Sequence, residues 1–289
     1  MTNPTHENTT TNTTTLVLGG TGKTGRRVAQ RLTARGLPTR VGSRSGEPPF
    51  DWDDRATWPA ALRDVGAAYV SFYPDLAVPG AAATVGAFAA LAVEHGVQRL
   101  VLLSGRGEEE AQRAEQVVRG AGADWTIVRA SWFSQNFSED YMLAGILDGV
   151  LTLPVDAMRE PFTDAEDIAD VAVAALTEDT HTGEVYELTG PRLLTFADAV
   201  MEIADATGRD IRFQPTPMDE YAAVLTQHDM AADVVKLLTY LFTEVLDGRN
   251  ASLTDGVQRA LGRQPRDFRD YARATAATGV WAQADPVAR

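Results

Sequence analysis

The residues best placed to do chemistry are glycines. The stretch Leu16-Val17-Leu18-Gly19-Gly20-Thr21-Gly22-Lys23-Thr24-Gly25-Arg26-Arg27-Val28 carries G-x-G-x-x-G as Gly20, Gly22 and Gly25, directly after a β-branched run and opening a helical one. Glycines at this spacing permit a tight strand-to-helix turn and let backbone N–H groups approach a pyrophosphate at the positive end of the helix. The third also lets helix and strand pack closely. A glycine-rich turn without a ligand is the bland alternative. A P-loop, which Gly22-Lys23-Thr24 imitates, needs a glycine five positions before Gly22, where the chain has Val17. The candidate contacts of the turn are therefore Gly19, Gly20, Thr21, Gly22, Lys23, Thr24 and Gly25, with a dinucleotide as their ligand.

About twenty residues on, such a site selects the ribose: an acid for a 2′-hydroxyl, basic and hydroxyl groups for a 2′-phosphate. The sequence there is Arg40-Val41-Gly42-Ser43-Arg44-Ser45, with no carboxylate before Glu47. Guanidinium and hydroxyl groups bind a phosphate by charge-assisted hydrogen bonds, so Ser43 and Arg44 favour NADP over NAD. A solvated surface Arg44 is the alternative, and Lys23 could serve the same phosphate. Tyr73, before Pro74, is expected to border the nicotinamide. Asp51, Asp53 and Asp54 around Trp52 read as a loop over the adenine side or plain surface.

Nicotinamide enzymes of the short-chain class commonly use Tyr-x-x-x-Lys, in which the lysine lowers the phenol pKa. Only two lysines are present, and the residues four before them are Gly19 and Ala232. In its place Ser104 stands at a strand end, followed by Glu108, Glu109 and Glu110, which belong in the first turn of a helix, where negative charge is favourable. Ser104 is expected to contact cofactor or substrate, or to cap that helix. No G-x-S-x-G elbow marks a serine nucleophile, and no catalytic acid is assigned. Ser131-Trp132-Phe133-Ser134-Gln135-Asn136-Phe137 mixes three aromatic and four polar residues, which suits either a pocket for a flat ligand, with Trp132, Phe133 and Asn136 as contacts, or an aromatic patch of core.

The elements that must position these residues follow a β-α rhythm. Strands are expected at 15–18, 39–42, 67–71, 99–103 and 125–128, with helices near 23–35, 55–64, 80–95 and 108–120. Gly36, Gly66, Gly96 and Gly122 fall where left-handed C-caps belong. This is an α/β, doubly wound parallel sheet, a Rossmann domain over 15–130. Residues 1–14 read as a disordered tail. Residues 131–289 read as a smaller, mostly helical substrate region, with a helix at 165–177 and a strand at 185–188 perhaps returning to the sheet.

Composition narrows the partners. The chain has 289 residues, 26 Lys+Arg against 40 Asp+Glu, no cysteine and four histidines. That acidic balance argues against nucleic acid, and the absence of cysteine with scattered histidines argues against a metal. No apolar run suits a membrane span or signal core, so a cytoplasmic protein is expected.

GGTGKTG at 19–25, FDWD at 50–53, LLS at 102–104, DWTIVR at 124–129, SWFSQNF at 131–137, DAEDIA at 164–169 and LTGP at 188–191 together resemble the NmrA-like, atypical short-chain dehydrogenase/reductase family. The likeness is greatest to its branch of ergot-alkaloid dehydrogenases and NAD(P)H-dependent quinone reductases. It extends to Trp281, through DGV at 255–257 and QPRDF at 264–268. The resemblance implies a Rossmann domain, NADP(H) or NAD(H) in the glycine turn and a substrate cleft between two regions. Members often keep a lysine, histidine or tyrosine in the helix where this chain has Ala111, Gln112 and Arg113. The implied activity is hydride transfer to a flat conjugated acceptor: a quinone, an iminium or an aromatic polyketide ketone, plausibly in secondary metabolism. The alternatives are a tailoring enzyme assisting oxygenation of an aromatic polyketide, or a non-catalytic NADP redox sensor. A homodimer is left open.

Overall fold

The computed structural model describes residues 13–282. The tail expected over 1–14 lies outside the described residues except for Thr13 and Thr14, and Thr14 already belongs to the first strand. The strands are β1 (Thr14–Leu18), β2 (Thr39–Gly42), β3 (Val65–Val70), β4 (Arg99–Gly105), β5 (Asp124–Ala130), β6 (Val150–Leu153), β7 (Arg159–Glu160), β8 (Val185–Leu188), β9 (Leu194–Thr195) and β10 (Arg212–Pro215). Strands β1 to β5 and β8 pair in parallel in the order β2-β1-β3-β4-β5-β8. Leu16, Val17 and Leu18 are wholly buried, as a strand covered on both faces requires. The segment at 185–188 does return to the sheet, pairing Ile127 with Val185 and Ala130 with Leu188. Beyond the sheet, β6 pairs in parallel with β10, and β7 with β9 in antiparallel.

The helices are α1 (Lys23–Ala34), α2 (Trp58–Ala61), α3 (Ala81–Glu94), α4 (Glu109–Arg119), α5 (Asn136–Glu139), α6 (Met142–Asp148), α7 (Ala165–Thr177), α8 (Phe196–Thr207), α9 (Met218–Gln227), α10 (Ala232–Tyr240), α11 (Gly256–Leu261) and α12 (Phe268–Ala277). On one face of the sheet Val28 and Leu32 of α1 join Ile168 and Ala172 of α7. On the other, Val85 and Phe88 of α3 join Ala114 and Val118 of α4. A third cluster gathers residues from Phe137 to Trp281 and forms the second region.

Two local expectations are corrected. The helix expected at 55–64 is a 3-10 turn over Arg55–Thr57 followed by the short α2. Only Trp58, Ala61 and Leu62 there reach the core, so a single turn buries everything apolar. Gly66 is not a C-cap: it lies inside β3, where a Cβ would stand 2.7 Å from that of Thr13, and Asp64 takes the left-handed position at φ 60°. Aspartate tolerates that conformation better than most side chains. Gly36 and Gly96 follow the C-caps of α1 and α3 with φ of 72° and 87°, as a left-handed cap requires. By contrast, α4 is capped by Gly120 in the right-handed region, and Gly122, at φ 96°, lies two residues further on.

Candidate functional site

The sheet order reverses at β1, with β2 on one side and β3 on the other. In such folds the crevice beyond the carboxyl ends at this switch point receives the ligand. The glycine turn occupies it. Gly19 is left-handed at φ 62° and sits against Ser71. A Cβ on Gly25 would stand 2.6 Å from the carbonyl carbon of Gly19 and 2.9 Å from the α-carbon of Gly20. Turn and helix thus touch backbone to backbone, and no side chain fits between. The N–H groups of Lys23, Thr24 and Gly25 have no acceptor among the described residues, and the first turn of α1 holds no acid. Free donors at a helix N-terminus with nothing negative to compete suit a pyrophosphate.

At the end of β2, the Ser43 carbonyl accepts from the N–H groups of Gly46 and Phe50 at 3.0 and 2.9 Å. Arg44 is exposed and places its guanidinium 5.8 Å from the centroid of Tyr73, itself 67% exposed. The ends of β2 and β3 are thereby bridged across the mouth of the crevice. Lys23 points elsewhere, forming an ion pair with Asp140. Asp51 and Asp54 serve local structure: the Asp51 carbonyl accepts from Trp58 Nε1 at 2.7 Å, and the Asp54 carboxylate caps Ala56 N. Trp52 is buried in a cluster with Phe50, Trp58, Phe72 and Phe88.

At the end of β4 the side chains form a fixed network. Ser104 is buried, and its hydroxyl donates to Glu115 Oε1 at 2.6 Å. Arg129 donates to the same oxygen through Nε at 2.8 Å, and reaches Glu187 at 3.4 Å. Arg106 donates to the carbonyls of Asn250 and Ser252, both at 2.8 Å, while Asn250 Nδ2 returns a hydrogen bond to the Arg106 carbonyl. This clamps the segment before α11 onto the β4 loop. The three glutamates divide. Glu109 and Glu110 lie in the first turn of α4 and pair with Arg113, and Glu110 also accepts from Gly80 N and Ala82 N. Glu108 is the N-cap and turns inward, its carboxyl folded over the α-carbon of Gly105. Burial pushes its pKa well above the usual carboxylate range, and the charges of Asp75 and Glu115 push the same way. Spacing alone did not separate Glu108 from its neighbours; Gly105, whose missing side chain leaves the space the carboxyl takes, was the available signal.

The aromatic segment leaves β5 at the same level, since Gly105 pairs with Ala130. Trp132 lies 5.4 Å from Phe242 and 6.1 Å from Phe196, and Phe242 lies 5.8 Å from Tyr221. A π-helical turn at Leu241–Val245, continuing α10, brings Phe242 there. Phe133 instead packs against the core beneath the sheet, and Asn136 opens α5 without a side-chain hydrogen bond to the described residues. Ser131 Oγ, Trp132 Nε1 and Tyr141 Oη are buried without a partner. Buried polar groups are ordinarily paired, so orphans on one short segment mark a place for a ligand's polar atoms. The segment is held to the cofactor helix by Glu139, paired with Arg26 and Arg27 at 2.6 and 2.7 Å. Tyr221 and Phe242 come from parts of the chain that no spacing relates to Trp132.

No family model matches the chain. Agroclavine dehydrogenase of Claviceps fusiformis is 32% identical to it, over 89% of this chain and 96% of that protein. NAD(P)H azoreductase of Xenophilus azovorans is 28% identical, over 91% and 98%. Among solved structures, the NADPH complex of the NADPH-dependent quinone oxidoreductase of Escherichia coli superposes with a TM-score of 0.72, covering 90% of this chain and 99% of its own, at 19% identity. That likeness is one of fold. The sequence likeness to the dehydrogenase covers most of both chains and places this one in the NmrA-like family of atypical short-chain dehydrogenases/reductases.

Proposed function

We propose that the protein is an NADPH-dependent reductase that delivers hydride to a flat, conjugated acceptor: a quinone, an iminium or an aromatic polyketide ketone. The observation that carries this reading is the glycine turn, where backbone contact excludes any side chain at Gly25 and leaves three N–H groups free. Relatives named as agroclavine dehydrogenase and NAD(P)H azoreductase support a nicotinamide cofactor and a conjugated acceptor. The bound cofactor supplies the hydride, and the protein supplies position and environment. In this reading the N–H groups of Lys23, Thr24 and Gly25 hold the pyrophosphate, Ser43 and Arg44 the 2′-phosphate, and Tyr73 borders the nicotinamide. Trp132 and Asn136 contact the acceptor. Ser104 acts by fixing Glu115 and Phe133 by seating the segment, since one hydroxyl is already bonded and the other ring is turned to the core.

Neither lysine has a tyrosine four residues before it. Hydride transfer to a strongly electrophilic conjugated system tolerates this, because holding the two reactants in register supplies much of the rate. The test is anaerobic oxidation of NADPH by the purified protein with 1,4-naphthoquinone, followed by the loss of reduced-nicotinamide absorbance. Acceptor-dependent oxidation saturating in NADPH is expected. Tight NADPH binding with no oxidation by any acceptor of the class would contradict the reading and favour a sensor.

A further inference from the structure

We propose that Glu108 is the proton donor of this reaction for quinone and ketone acceptors, its carboxylic acid protonating the acceptor oxygen as hydride arrives. The proposal rests on the reductase reading above. Its basis is placement. Glu108 follows the Gly105-Arg106-Gly107 turn at the carboxyl end of β4, where Gly105 pairs with Ala130, just before the segment that carries Trp132. That turn is rigid: Arg106 is clamped by Asn250 and Ser252, and Gly107 is left-handed at φ 78° with Asn250 packed where a Cβ would stand. The carboxyl of Glu108 lies on Gly105, and no hydrogen-bond partner holds it among the described residues. It remains partly open to solvent, so it can be recharged.

The charges around it decide its form. Glu115 of α4 accepts hydrogen bonds from Ser104 Oγ and from Arg129. Asp75, beyond β3, has its own pKa pushed up by burial, against which a hydrogen bond accepted from Ala77 N at 2.8 Å and the charge of Lys23 of α1 act. Glu109 and Glu110 are neutralised by Arg113. Glu108 thus faces the carboxyl groups of Asp75 and Glu115, and no cation pairs with it among the described residues. Burial and these neighbours raise the Glu108 pKa and so favour its protonated form, the form able to donate. For a quinone, the acceptor gains hydride from NADPH and one proton. The O–H bond of Glu108 breaks, a new O–H bond forms on the quinone oxygen, and the carboxylate takes its proton back from solvent.

The test compares two acceptors in the wild type and Glu108→Gln. 1,4-Naphthoquinone needs a proton, whereas a cationic triphenylmethane dye becomes neutral by hydride addition alone. With the quinone, kcat should fall about 100-fold in Glu108→Gln, against less than about threefold with the dye. In the wild type the quinone rate should fall as pH rises through the elevated Glu108 pKa, and that limb should be missing with the dye. Infrared difference spectra, wild type minus Glu108→Gln at neutral pH, should show the C=O stretch of a protonated carboxyl. Equal losses with both acceptors, or no such band, would overturn the assignment. A wild type that oxidises NADPH with neither acceptor would instead overturn the reductase reading itself, and the donor with it.

Discussion

The cofactor-side half and the aromatic half of this molecule are held in shape by different constraints. Around the glycine turn the limiting contacts are between backbone atoms: Gly25 against the carbonyl of Gly19, and the end of β1 against Ser71. In the aromatic half they are between side chains brought from far apart, as where Trp281 Nε1 donates to the carbonyl of Phe137 at 2.9 Å across 144 residues. A site limited by backbone tolerates one residue type at a fixed spacing. A site limited by side chains tolerates many combinations that fill the same space. The first half should therefore fail by collision and the second by cavity.

The largest effect is expected from Trp281→Ala, which empties a wholly buried site packed on Tyr271 and orphans the Phe137 carbonyl. It should lower unfolding free energy by about 3–5 kcal/mol in urea titration; a loss under about 1 kcal/mol would show that the second core does not depend on this closure. Next comes Gly25→Ala, which forces a methyl into backbone contact. It should cost about 1–3 kcal/mol of stability and abolish calorimetric NADPH binding, and retained binding would refute the cradle. Arg44→Ala should weaken NADPH by about 1.5 kcal/mol, a little over tenfold, with NADH little changed. Equal losses for the two would remove the 2′-phosphate assignment.

The smallest effect concerns the seam that α1 makes with α5 and α7. Burial pushes Glu139, Glu166 and Asp170 upward, but ion pairs with Arg26, Arg27 and Arg31, joined at Asp170 by Arg263 and Arg266, outweigh it and hold their pKa values below the ordinary 4.5 and 3.8. Carboxyls depressed in the folded state bind protons more readily when unfolded. Their contribution is present above the unfolded values and is lost as pH falls through the folded ones. Melting temperature should therefore decline below about pH 4.5, and Arg27→Gln should flatten that decline. A parallel curve for the variant would show that this seam adds nothing to stability.

The same contrast explains what was legible in the sequence. The turn at 19–25, the strands and the helices of the first half other than the one expected at 55–64 were readable because glycine spacing and burial on two faces leave direct marks. Gly66 misled because a glycine required by the close approach of Thr13 looks, in sequence, like one required by a left-handed cap. Ser104 was placed at the right strand end, but its hydroxyl is committed to Glu115, eleven residues on and one helix away. Trp132 was singled out by its company of polar and aromatic residues, whereas Tyr221 and Phe242 were not, since only the fold gathers them. Glu108 was grouped with two neighbours whose side chains point outward, a distinction set by the space left at Gly105.

The most direct test of the central claim is transfer of deuterium from NADPH labelled at C4 of the nicotinamide, on either face in turn, to a cationic triphenylmethane dye, with the leuco product read by mass spectrometry. One face of the label should appear on the central carbon of the product, in proportion to NADPH consumed. Consumption without label in the product, or label from both faces alike, would contradict direct hydride delivery in the crevice between the glycine turn and Trp132.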